Sequence, residues 1–271
     1  MKTIMAPTNF SKESRHAVGY AADMAASLGA DLLLLHVVNL EVSFDIPAEE
    51  TDYDGMIKGA QLELAQLKKE LLVRSENEIT ISTKVILGSL DLEIEELCKK
   101  ENPFIVVIGA ERKNLSGRLL LGSNTFNAIK NLHYPVLVVP PNANFKHIRR
   151  IGLAVDLQNI FELPLEMLEQ LVEIFDASVD IIHVGKNKED ELKNRLRLLL
   201  LKERLRDFDP RIQYIIHDNI EDGLNEYALK NHEDLLVVVA REYRFPESLF
   251  HKSHSRLIAR KAEIPVLTLA E

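Results

Sequence analysis

The residues best placed to do chemistry fall in one stretch, from Gly109 through Arg112 and Gly117 to Gly122-Ser123-Asn124-Thr125, between an apolar run and a helix-like segment. A helix start that offers backbone N–H groups beside hydroxyl side chains suits a phosphate, because unsatisfied donors and the helix dipole both favour negative charge. Gly122, Ser123 and Asn124 would form that cradle, and Arg112 adds a planar cation able to grip phosphate with two hydrogen bonds. Gly117–Ser123 reads GxxxxGS, close to a P-loop, but Ser123 stands where that motif needs Lys, which disfavours a Walker-type triphosphatase. Other candidates are weaker. His251 and His254 have the spacing of two metal ligands on a helix, with no carboxylate placed to complete a set, so no metal site is assigned. Cys98 follows Leu97 on an apolar helix face and reads as an inert core thiol. No Ser-His-Asp spacing and no HExxH occurs, so no catalytic residue is assigned.

The elements around this stretch occur twice. Thr3–Asn9 and Ile151–Asp156 are short apolar runs ending in Asn or Asp, and Leu32–Val38 matches Val179–Val184. Asn9 and Asp156 are 147 positions apart, as are His36 and His183, whereas Val107 and Val238 are 131 apart. The first copy therefore carries about 16 extra residues. They fall in the acidic segment Asn39–Met56, which reads as a loop and could serve as a lid or docking segment. The recurrence of His36 and His183 points to a structural hydrogen bond at the sheet edge rather than to a base. The boundary near Asn142–His147 divides the chain into domains 1–146 and 147–271.

Each copy alternates β-branched runs with segments of helical period, such as Ala17, Val18, Ala21, Ala22 and Ala25. Strands apolar on both faces, alternating with helices, imply a parallel sheet covered on both sides. The expected fold is α/β: two tandem five-stranded doubly wound domains. Val136–Val139 and Val266–Leu269 each follow a Pro suited to an edge strand, and are expected to meet within the chain as a pseudo-twofold pair. Ligands of such sheets bind beyond the carboxyl ends of the strands.

Composition narrows the classes further. With 271 residues and 46% hydrophobic content the chain has ample core material. Its 33 basic against 42 acidic residues give a net charge of −9. That excludes a generic nucleic-acid binder, which needs a basic face to displace phosphate counterions. One cysteine allows no internal disulfide, and no apolar run approaches the roughly 20 residues that cross a bilayer. The start, Met1 to Pro7, has no signal-peptide core, so a cytoplasmic location without membrane contact is expected.

On these residues the chain resembles the universal stress proteins, over essentially its whole length as two copies. Nucleotide-binding members carry Gly-x-x-Gly, nine residues, then Gly-Ser or Gly-Thr, together with an Asp closing the first strand. Gly109, the nine-residue interval, Gly122 and Ser123 fit that pattern, while Arg112 replaces its second Gly and Asn9 its Asp. The resemblance implies an adenine nucleotide alpha hydrolase-like fold and an adenine-nucleotide site in the first domain. Pro7, Thr8 and Asn9 would line the base and ribose, with the backbone of Val37 beside the adenine. Ile108, Gly109 and Arg112 would face the phosphates, cradled by Gly122, Ser123 and Asn124.

Two departures and one loss shape the expected function. Asn9 keeps an acceptor for a ribose hydroxyl but loses the charge. Arg112 acts either as a phosphate clamp or as a plug. The second domain keeps Asp156 but has Ala240-Arg241-Glu242-Tyr243-Arg244-Phe245-Pro246 in place of the glycine loop, so it reads as a degenerate copy. The expected function is a cytoplasmic stress-response protein with a regulatory site for ATP or AMP, Mg²⁺ accompanying ATP, and slow ATP hydrolysis at most. The alternative is an interaction scaffold that binds no nucleotide and acts through the paired domains, on an unidentified protein partner or as a homo-oligomer.

Overall fold

A computed structural model describes residues 2–39, 52–112, 119–120, 132–157, 160–161, 163–240, 258–259 and 262–270. The first half runs β1 (Thr3–Pro7), α1 (Lys12–Leu28), β2 (Asp31–Asn39), α2 (Tyr53–Arg74), β3 (Ile81–Gly88), α3 (Leu90–Glu101) and β4 (Ile105–Gly109). A two-residue hairpin, β5 (Glu111–Arg112) with β6 (Leu119–Leu120), then precedes β7 (Val136–Val139). The second half repeats the order with β8 (Arg150–Ala154), α4 (Leu165–Phe175), β9 (Ser178–Gly185), α5 (Lys188–Arg204), β10 (Arg211–Ile216), α6 (Ile220–Lys230), β11 (Leu235–Ala240) and β12 (Val266–Ala270).

Alternate residues of each strand face opposite layers, so both faces must be apolar. Ile4 and Ala6 pack on the α1 and α2 side, while Met5 packs on the α3 side, and all three are fully buried. Helix ends follow local chemistry. Ser11 caps α1 by accepting the Ser14 N–H, and Gly29 stops it in the left-handed region at φ 58°. Asp52 caps α2 through the Gly55 N–H at 2.8 Å, so α2 begins inside the segment read as a loop. Asn39 likewise belongs to β2, and residues 40–51 of that segment lie outside the described residues.

One ten-stranded sheet results, in the order β10-β9-β8-β11-β12-β7-β4-β1-β2-β3. The order is symmetrical about the β12–β7 junction, which is the pseudo-twofold pairing expected from the sequence. The junction is antiparallel, with Leu267 opposite Leu137 and the Thr268 hydroxyl donating to the Val136 carbonyl at 3.1 Å. Every other pairing within this sheet is parallel. The link between the halves crosses α1. His16 Nε2 donates to the Ala143 carbonyl at 2.7 Å, and Tyr20 meets the Phe145 ring edge-on at 5.3 Å.

The second half carries a buried charge network at the amino-terminal end of its strands. Asp180, 1% exposed, accepts both arms of the Arg211 guanidinium at 2.8 and 2.9 Å and the Tyr227 hydroxyl at 2.7 Å. Arg150 bridges Asp180 at 3.3 Å and Glu233 at 3.2 Å. Asp234 ties in the start of β8 by accepting the Arg149 and Arg150 N–H groups. Burial first, and then the neighbouring Asp180, push the Glu233 carboxyl up to about 7. Its Oε2 is buried without a hydrogen-bond partner, as is Arg150 Nε. The folded chain therefore holds a proton that the unfolded chain releases near pH 4.5. That contribution is complete below pH 4.5 and is lost as pH rises to about 7. Glu233→Gln is expected to be about 1–3 kcal/mol more stable than wild type at pH 8 and to flatten the decline between those values. Denaturant titrations at pH 5 and pH 8 check this; parallel pH dependence in mutant and wild type would refute it.

Candidate functional site

The strand order places a crevice at a defined point. The chain leaves β1 towards β2 and β3 on one side and returns to β4 on the other, so the order reverses between β1 and β4. Open parallel sheets bind ligands beyond the carboxyl ends at such a reversal. Pro7, Thr8 and Asn9 leave β1 here, Val37 lies near the end of β2, and Ile108 and Gly109 end β4. These six residues meet at one end of the sheet. Arg112 lies in the extended strand β5, paired with Leu119, and Gly122, Ser123 and Asn124 lie outside the described residues. Of the loop after β4, the described residues Glu111–Arg112 and Leu119–Leu120 pair antiparallel.

The β1–α1 turn consumes its own polar groups. The buried Thr8 hydroxyl contacts Ser14 Oγ at 3.0 Å and accepts the Phe10 N–H at 3.0 Å. Asn9, exposed, uses Oδ1 to accept the Ser11 N–H at 3.1 Å. Its carbonyl oxygen therefore already helps to hold the start of α1.

Two features of this end were not legible as site features in the sequence. Phe10 adopts φ 63°, unusual for a bulky residue, and stacks on His36 with ring centres 4.5 Å apart. The Arg15 guanidinium lies 5.7 Å from the Phe10 ring and its Nε donates to the Phe10 carbonyl. The Ser-x-x-Ser cap at Ser11 and Ser14 was the available signal for where α1 begins. The aromatic stack had none, because it joins residues from different elements.

His36 has the role that its recurrence suggests. Its Nδ1 lies 2.8 Å from the Thr8 carbonyl and, since a carbonyl only accepts, must carry the hydrogen. His183 makes the same bond to the Val155 carbonyl at 2.9 Å. The bond sits at the carboxyl end of the second strand, one strand inside the sheet edge expected for it.

Backbone direction gives Val37 its importance. In a parallel ladder, successive residues turn their N–H and C=O groups to opposite neighbours. The Leu35 carbonyl accepts the Thr8 N–H on the β1 side, while the Leu32 N–H reaches Thr80 on the β3 side. Val37, two residues beyond Leu35, therefore turns its N–H and C=O towards β1, whose last paired residue is Pro7 opposite Leu35. A donor and an acceptor on one residue face the space beyond the end of β1.

Gly109 is small because α1 presses on it. A Cβ there would lie 2.6 Å from the Glu13 carbonyl oxygen and 3.3 Å from Ala17 Cβ. In the second half Ala240 takes this position, and α4 starts at Leu165, later after its strand than α1 does after β1. Among the described residues no group of three or more His, Cys, Asp or Glu side chains is placed to hold a metal. Cys98 is buried against Met5, its Sγ 4.0 Å from Sδ, and burial pushes its thiol up to about 12, so it is inert.

The second half has different occupants at the corresponding end. Asp156 is exposed, and Tyr214 from β10 lies beside His183 with ring centres 5.4 Å apart. The residues Arg241–Pro246 lie outside the described residues. Gly109→Ala is expected to cost about 1–3 kcal/mol of stability, since rigid backbone rather than a flexible side chain must move. Denaturant midpoints measure this, and an unchanged midpoint would show that α1 yields freely.

The universal stress protein family model matches residues 1–140. Universal stress protein MJ0531 of Methanocaldococcus jannaschii is 32% identical over 141 residues, covering 51% of this chain and 81% of that protein. Universal stress protein MJ0577 of the same organism is 26% identical over 153 residues, covering 51% and 94%. The crystal structure of a universal stress protein from Archaeoglobus fulgidus aligns over 99% of this chain and 98% of its own, with TM-score 0.78 and 17% identity, a likeness of fold that spans both halves. With more than half of its length matched by the family model, and the tandem fold shared throughout, the chain belongs to the universal stress protein family.

Proposed function

We propose that this stress protein holds an adenine nucleotide, ATP or AMP, in a regulatory site at the carboxyl ends of β1, β2 and β4. The observation that carries the reading is the direction of the Val37 N–H and C=O, which face the space beyond the end of β1. Adenine presents a donor amine beside a ring acceptor, the complement of one residue's C=O and N–H. Ile108 and Gly109 would bound the sugar and phosphates, and Gly122, Ser123 and Asn124 would cradle the phosphates with backbone and hydroxyl donors. Asn9 would contribute through its amide, its oxygen being engaged by the Ser11 N–H. Mg²⁺ would arrive with the triphosphate. The role would be regulatory, and hydrolysis would be slow at most. The nucleotide would occupy domain 1–146, with domain 147–271 as the degenerate partner. A scaffold acting without nucleotide is the second reading, favoured by the exposed leucine face of α5.

Thermal-shift titration with ATP, AMP and adenosine separates the two. A ligand specific for the folded state adds about 2.7 kcal/mol at a hundred times its Kd. Absence of a shift with every adenine nucleotide would reject the site and leave the scaffold. Ser123→Ala removes a donor to a charged phosphate and is expected to weaken binding by about 1.5–3 kcal/mol. Arg112→Gly decides the role of that side chain. We expect looser ATP binding, with a salt-dependent loss, as a clamp requires; tighter binding would make Arg112 a plug.

A further inference from the structure

Helix α5 carries leucines on both of its faces. Leu198 and Leu201, with Leu205 one residue beyond its end, are buried in the core. Leu192, Leu196, Leu199 and Leu200 are 69%, 68%, 50% and 43% exposed and form a continuous stripe on the outer face. Folding does not require this stripe, as the first half demonstrates. The buried Leu64, Leu67 and Leu71 of α2 have the same spacing as Leu198, Leu201 and Leu205. In that register, α2 has Lys58, Leu62, Ala65 and Gln66 where α5 has Leu192, Leu196, Leu199 and Leu200. Two copies of one scaffold thus pack alike inside and differ outside, and only the second presents a leucine surface. Contiguous apolar surface of this kind marks an interaction site.

The charges around the stripe select its occupant. Arg195 and Lys202 flank it on one side, Lys202 also 3.6 Å from the exposed Asp209, and Arg197 and Arg204 flank it on the other, Arg204 donating to the Ile160 carbonyl, while Glu189 and Glu203 close its two ends. Basic flanks on both sides oppose a second copy of the same helix, which would bring basic flanks against basic flanks. Carboxylates in line with the leucines oppose insertion into lipid. We propose that the outer face of α5 docks an amphipathic helix of a partner protein whose apolar stripe is flanked by acidic residues. The leucines interdigitate with that stripe, and Arg195, Arg197 and Lys202 pair with its carboxylates. The surface lies on the half that lacks the glycine loop, so the proposal stands independently of nucleotide binding.

The test uses the full chain and two fluorescent synthetic helices, both with leucine at the a and d positions, one with glutamate and one with lysine at e and g. Anisotropy titration is expected to show at least tenfold tighter binding of the acidic helix, weakening with salt. Leu196→Glu, at an exposed position that leaves the core intact, is expected to weaken it tenfold or more with an unchanged melting temperature. The double variant Arg195→Glu/Lys202→Glu is expected to prefer the lysine helix. Equal binding of both helices, or binding insensitive to Leu196→Glu, overturns the proposal. So does a Leu196-dependent dimer in sedimentation, or Leu196-dependent co-sedimentation with phosphatidylglycerol vesicles in the absence of binding to the acidic helix.

Discussion

The antiparallel pairing of β7 with β12 is the contact on which the architecture depends. Each half ends in a short strand of apolar residues whose outer edge would otherwise expose unpaired backbone groups. Pairing the two edges satisfies those groups and brings Leu137 against Leu267 at the centre of one continuous sheet. The apolar layers on both faces then run through both halves, as the buried clusters containing Leu137 with Leu267 and Val136 with Val266 show. The link that packs Phe145 and Ala143 on α1 adds a second tie, so the halves share a core instead of touching as separate bodies.

Within this symmetrical frame the two halves have diverged at opposite ends. The first places the Val37 backbone and the close approach of α1 to Gly109 at its carboxyl end. The second has built an ionic network at its amino-terminal end, where the position matching the apolar Leu33 is Asp180. Burying Asp180 is tolerable because Arg211, Arg150 and Tyr227 satisfy it, whereas Glu233 retains an orphaned oxygen and answers by holding its proton. The same divergence appears on the outer helices, where α2 is mostly polar and α5 carries leucine among basic residues.

Single residues in the crevice serve both folding and the candidate ligand. Gly109 is demanded by the Glu13 carbonyl, so its place in a nucleotide-like motif has a packing cause irrespective of any phosphate. Asn9 uses its oxygen to organise the turn that starts α1. His36 holds the Thr8 carbonyl, and its partner in the second half does the same where the glycine loop is missing, which identifies the bond as part of the scaffold.

The sequence by itself determined the duplication, the strand and helix order and the pairing of the two last strands, because these rest on local periodicity and on spacing along the chain. Val136–Val139 was legible to the residue, since Pro135 sets a sharp boundary. The residues of the crevice were legible as types: glycines, hydroxyls and the end of the first strand. Only the tertiary structure decided how the described ones among them are held. The Phe10–His36 stack, the pressure of α1 on Gly109, the outward turn of the Val37 backbone and the Asp180–Glu233 network all join residues far apart in sequence. Such contacts depend on which strands become neighbours and how closely helices approach them, and no local pattern of residues encodes either distance.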